Sequence, residues 1–149
     1  MSLPYENSTS GDKAIGEMQK ILSHFGCQKF GHMVDNENGE IIVQFKYRDR
    51  EVSLKASIKG YAAAWLKEHP HNSRMRCSKI EHERKAIDQA SISVFSILRD
   101  WLKGQVMAIE TGILSFEGAF LGQIMLPNGM TVLEQVSSNL LLLNDQTDK

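Results

Sequence analysis

"VQFKYRDREVSLKAS" (43–57) alternates in character on both sides of a densely charged centre, and its reading decides the fold. Taken with the "EII" before it, Ile41, Val43, Phe45 and Tyr47 alternate with Ile42, Gln44, Lys46 and Arg48. Beyond the centre, Val52, Leu54 and Ala56 alternate with Glu51, Ser53 and Lys55. Successive strand side chains point to opposite faces, so each segment reads as a half-buried strand. The tight connection around Asp49 can join only antiparallel neighbours. Upstream, "CQKFGHMVD" (27–35) and the turn chemistry of "DNENG" (35–39) add a first strand, which predicts a three-stranded antiparallel meander. One face is expected to pack on helices. The other is expected to offer Gln44, Lys46, Arg48, Ser53 and Lys55 to solvent.

Helical periodicity takes over on either side. Ala14, Met18, Ile21, Leu22 and Phe25 recur every three or four residues between Ser10, an N-cap residue, and Gly26, a C-cap residue, predicting a helix over about 11–25. Residues 58–69 read as a short helix ending before Pro70, and 70–78 as an exposed loop. Ser78-x-x-Glu81 is a capping box opening one long helix over about 79–110, in which Ile80, Ile87, Val94, Trp101 and Ala108 repeat every seven residues. A coiled-coil seam is the alternative use of that repeat, but the stripe broadens toward the C-terminus, which favours the domain's own core. Ser115 caps a short helix, "LPNG" (126–129) is a turn, and Thr131-x-x-Glu134 opens a last helix reaching Leu143. The expected fold is α+β: an N-terminal helix, the meander, a long central helix and two short C-terminal helices on one sheet face. Its boundaries are a flexible N-terminus over 1–10, a single domain over 11–143 and a flexible tail over 144–149.

Composition narrows the function classes. With 42% hydrophobic and 23% charged residues, the 149-residue chain is globular and large enough for a real core. Its longest apolar runs, such as "LLLL" (140–143), are far shorter than the ~20 residues of a membrane span. The amino terminus lacks the basic and apolar regions of a secretory signal, and two cysteines make no disulfide framework, so a cytoplasmic location is expected. The net charge of −1 hides an asymmetry. Residues 44–103 hold 13 Lys+Arg against 7 Asp+Glu, a net of +6, and the remainder carries −7. Such local fields decide partners more than the sum does.

Three stretches resemble a family of small, uncharacterised proteins encoded by tailed phages and prophages. "FGCQKFG" with "EIIVQFKYRDREVSL" is similar to that family's strand, basic turn and strand. "LKGQVMAIETGI" resembles the end of its long helix, and "SFEGAFLGQIMLPNGMTVLEQV" resembles its Phe-Glu, Phe-Leu and Leu-Pro-x-Gly-x-Thr-Val elements in order. The match spans most of residues 14–136, apart from 58–80. It implies a setting in phage DNA metabolism within the bacterial host cytoplasm, a basic hairpin at Lys46, Arg48 and Arg50, and a helix lysine at Lys103. Gln105 and Asp49 depart from the pattern, which has lysine and glycine there, and both departures lower the positive charge.

The expected function is non-enzymatic nucleic-acid binding, with Lys46, Arg48, Arg50 and Lys55 on phosphates and Arg99 and Lys103 extending the patch. Tyr61 and Trp65 are candidate stacking surfaces. An ordinary solvated face, or a protein-interaction module that binds or inhibits a host or phage protein by docking its acidic surface on the same cations, are the competing readings. The spacing of His69, His71, Cys77 and His82 matches no zinc pattern, so no metal and no other cofactor is expected. Cys27 and Cys77 have neighbouring histidines but no nucleophile-elbow or P-loop signature surrounds them, and no catalytic residue is assigned. A homodimer through the long or the last helix stays open, because Leu140–Leu143 are very apolar for a free end.

Overall fold

The computed structural model describes the backbone of residues 2–147 and the side chains of residues 2–141. The chain runs α1 (Gly11–Phe25), β1 (Lys29–Asp35), β2 (Glu40–Tyr47), β3 (Arg50–Ser57), α2 (Ile58–Glu68), α3 (Lys79–Glu110), α4 (Phe116–Phe120) and α5 (Val132–Thr147), with a 3₁₀ turn at Leu121–Gln123. The fold is α+β, with the antiparallel sheet ordered β1-β2-β3.

Local chemistry sets the element ends. The Ser10 hydroxyl accepts from the Lys13 N–H at 3.1 Å, and Gly26 stops α1 at φ 104°, a conformation glycine adopts without steric cost. Ser78 and Glu81 form the full capping box of α3, and Thr131 and Glu134 cap each other at the head of α5. Between α4 and α5, the segment around the Leu126–Gly129 turn folds back on itself, and the Met125 N–H donates to the Glu51 carbonyl at 2.8 Å. This segment therefore lies along the outer edge of β3.

The sheet's inner face carries Ile41, Val43, Phe45 and Val52, all buried, with Leu54 and Ala56 partly covered. Helix α3 packs over them with α1 and α2 on its flanks, and Phe120 from α4 is wholly buried against Phe45 and Trp101. The buried face of α3 differs from the heptad expectation. Ile80 and Ile87 are exposed, and the first half packs instead through His82, Ala86, Ala90 and Ser93. Small side chains there let neighbouring helices approach closely, a requirement that apolarity alone does not reveal.

Both chain ends carry ordered contacts or helix among the described residues. Residues 2–10, expected as part of a flexible terminus, lie across α2 and α3 as a strap. Ser93 donates its hydroxyl to the Tyr5 carbonyl at 2.8 Å, Gln89 donates to the Ser8 carbonyl at 3.1 Å, and Tyr61 donates to the Pro4 carbonyl at 2.6 Å. At the other end α5 continues to Thr147, through most of the stretch expected as a flexible tail. The side chains of Leu142 and Leu143 lie outside the described residues.

Candidate nucleic-acid interface

Parity and register place the cations. The turn between β2 and β3 has two residues, Arg48 and Asp49, so Tyr47 and Arg50 are directly opposite and share a face. Tyr47 is on the inner side, stacked on Phe25 at 4.4 Å and on Phe116 at 5.0 Å between centroids. Arg50 follows it and pairs with Glu117 of α4 at 2.8 Å. It does not belong to the open face, contrary to expectation. Arg48 is not a strand residue either. It sits in the turn at φ 55°, with its guanidinium 5.2 Å from the Tyr47 ring centroid, so the alternation ends at Tyr47.

Two of the six expected residues lie on the outer face. Lys46 is half-buried in its register position between Lys29 of β1 and Glu51 of β3. Lys55 is exposed, with its ammonium 3.9 Å from the Glu134 carboxylate. Arg99 and Lys103 belong to α3, which covers the opposite face. Arg99 is held by Glu17 at 3.1 Å and by Asp100 at 3.0 Å. These two ion pairs, with the hydrogen bond to Asp100 also raising its pKa, commit Arg99 to contacts within the protein. The six residues do not make one patch.

What the outer face does contain is Lys29, which pattern reading missed. It stands directly across from Lys46, in a row with Glu51. Next to that row a depression of about 240 Å³ is lined by Gly31, Gln44 and Met125 as well as by Lys29, Lys46 and Glu51. Gln44 donates to the Ser53 hydroxyl across the strands at 3.3 Å, and Ser53, expected in solvent, is buried. Over the whole face Lys29, Lys46 and Lys55 are matched by Asp35, Glu40 and Glu51, so positive charge is concentrated only toward the hairpin end. The alternation of Lys29, Gly31, Met33 and Asp35 was the available signal, but their register against β2 was not legible.

The aromatic candidates are occupied. Trp65 is buried between His69 and His82, at 4.7 and 5.1 Å between ring centroids, and Tyr61 is tied to the strap. The histidines do meet in space, since the rings of His71 and His82 are 5.5 Å apart. Each spends its Nε2 elsewhere: His69 on Glu6 at 2.6 Å, His71 on the Cys77 carbonyl at 2.8 Å, and His82 on the His69 carbonyl. Among the described residues no group of three His, Cys, Asp or Glu side chains could hold a metal ion. Burial pushes the Cys27 thiol up to about 11, which keeps it protonated and a poor nucleophile near neutral pH. Among the described residues no helix is long and apolar enough to cross a membrane. Comparison with known proteins finds no matching family model, no matching curated protein and no matching solved structure.

Proposed function

We propose that this protein is a non-enzymatic accessory protein that binds the phosphate backbone of nucleic acid at the hairpin end of its sheet. The contacting residues are Lys46, Lys29 and Arg48, a narrower set than the charge pattern suggests, with Gln44 as a neutral donor beside them. One observation carries this reading. Lys29 and Lys46 are directly opposed cross-strand neighbours, and neither they nor Arg48 has an acidic side chain within ion-pair distance among the described residues. Like charges directly opposite destabilise a sheet, and an anion seated between them turns that cost into affinity. The phage DNA-metabolism setting and the bacterial cytoplasm rest on the motif resemblance alone.

A salt titration with single- and double-stranded oligonucleotides tests the proposal. Three phosphate contacts predict a log–log slope of roughly −2 to −3, and the Lys46→Glu, Arg48→Glu double variant should lose binding about tenfold or more. Absence of any complex at low salt would sink it. A second reading, docking of an acidic protein surface, is favoured by the charge balance of the whole outer face and by the apolar Met33, Ile42 and Met125 on or beside it. Under that reading oligonucleotides do not compete for the face, and Met125→Glu weakens the complex as much as the charge reversals do.

A further inference from the structure

The sheet's two edges are not equivalent. On β3 the Glu51 carbonyl points outward and is taken by Met125, which closes that edge at one end. On β1 no described residue makes a comparable bond. The direction of the β1 backbone groups follows from two bonds of β2. The Gly39 carbonyl, just before β2, accepts from Ile58 on the β3 side, and the Lys46 carbonyl accepts from Gln28 on the β1 side. Backbone groups alternate in direction along an antiparallel strand, so the even-numbered residues of β2 bond β1. Their register partners are Lys29, Gly31, Met33 and Asp35. The N–H and C=O groups of Phe30, His32 and Val34 therefore point away from the sheet, and no described residue bonds them. Met33 and Val34 in the same strand are exposed at 62% and 41%.

We propose that β1 pairs antiparallel with β1 of a second copy about a two-fold axis at His32, joining two three-stranded sheets into one. In this register the outward groups of Phe30, His32 and Val34 meet those of the second copy's Val34, His32 and Phe30, which gives about six backbone hydrogen bonds. The side chains match as well. Lys29 faces the second copy's Asp35 at both ends of the pairing, so in the dimer the phosphate contacts of the proposed function fall to Lys46 and Arg48. The Asn38 N–H, a hydrogen bond from the Asn38 side chain and the Glu37 N–H hold Asp35 below the usual carboxylate range, so it stays charged. Met33 lies opposite the second copy's Gly31, where a Cβ would meet nothing within 4 Å and the space is open. Val34 packs beside Phe30 on the inner side. Parallel in-register pairing would instead set Lys29 on Lys29 and Asp35 on Asp35, so charge selects the antiparallel arrangement. Because the contact is isologous and Met125 occupies part of the β3 edge, the assembly closes as a dimer.

Sedimentation equilibrium on the full chain, from about 1 to 200 μM, tests the assembly, with amide hydrogen exchange as its map. A dimer is expected in which the amides of Phe30, His32 and Val34 are protected, and this protection fades on dilution. Lys29→Asp sets an acid against the second copy's Asp35 while placing one opposite Lys46, so the monomer keeps its fold; dimer affinity should fall tenfold or more. His32→Pro deletes an outward N–H and leaves the bonds to β2 intact, and it should have the same effect. A monomer at every concentration overturns the proposal. So does a dimer that exchanges these three amides freely, or one that survives both variants and is lost on Leu140→Ser instead.

Discussion

The two ends of this protein behave in the opposite sense to their composition. Residues 2–10 are mostly polar, yet they are strapped to the body. The carboxy-terminal helix is leucine-rich, yet Leu133, Leu140 and Leu141 are all more than half exposed. The difference lies in what each end finds beside it. The strap brings backbone carbonyls to helices that present donors: Ser93 and Gln89 on α3, and Tyr61 on α2. It adds its own side chains, with Tyr5 donating to Asp100 at 2.6 Å and Glu6 bonded to His69 at 2.6 Å. Leu3 packs against the core beneath. The carboxy-terminal segment is anchored earlier, at Phe120 and Ile124 with Val132 packed beside them, and beyond that Val136, Leu140 and Leu141 of α5 are exposed. Attachment follows available partners, and composition is a poor guide to it.

The largest expected effect bears on that earlier anchor. Phe120→Ala should destabilise the whole domain by about 3–5 kcal/mol in chemical denaturation, because it empties a wholly buried site shared by Phe45, Phe116 and Trp101. A loss below about 1 kcal/mol would mean that the carboxy-terminal third is not integral to the core.

Ser93→Ala comes next. It removes a buried hydroxyl that donates to the Tyr5 carbonyl and accepts from Gln89 at 3.0 Å, and about 1–3 kcal/mol should be lost. Proteolysis within residues 2–9 should accelerate, whereas cleavage in α5 should not change. Acid should release the same strap. The hydrogen bond to His69 holds Glu6 below the ordinary carboxylate range, and the bonds from Tyr5 and then Arg99 do the same for Asp100. A depressed folded pKa means that the detached strap binds more protons. Its contribution is therefore complete above the ordinary carboxylate range and is lost as pH falls through the depressed values. Amide exchange of the strap, followed from neutral pH downward, should rise in that window before the sheet opens.

The smallest effect belongs to α5. Leu140→Ser should change stability by no more than about 0.5 kcal/mol, since the side chain is 55% exposed. A larger loss, growing with protein concentration, would mean that another surface covers this helix, and the contrast between the ends would narrow.

The residues themselves legislate over short distances. Ser10, Ser78 and Thr131 open helices because their oxygens reach N–H groups three residues on, and Gly26 ends one because its own backbone tolerates φ 104°. The alternation from Ile41 to Tyr47 sets an inner and an outer face for the same local reason. Even Arg50 was readable, because it shares parity with the buried Val52. Other features required chain segments far apart in sequence to meet. Lys29 stands beside Lys46 only through strand register, Arg99 is consumed by Glu17 of another helix, and the strap exists because donors on α2 and α3 line up with it. Capping and alternation act within about four residues, whereas register, ion pairing and burial depend on which distant surfaces come into contact. The elements were therefore written locally, and the membership of the sheet's outer face was decided only by their assembly.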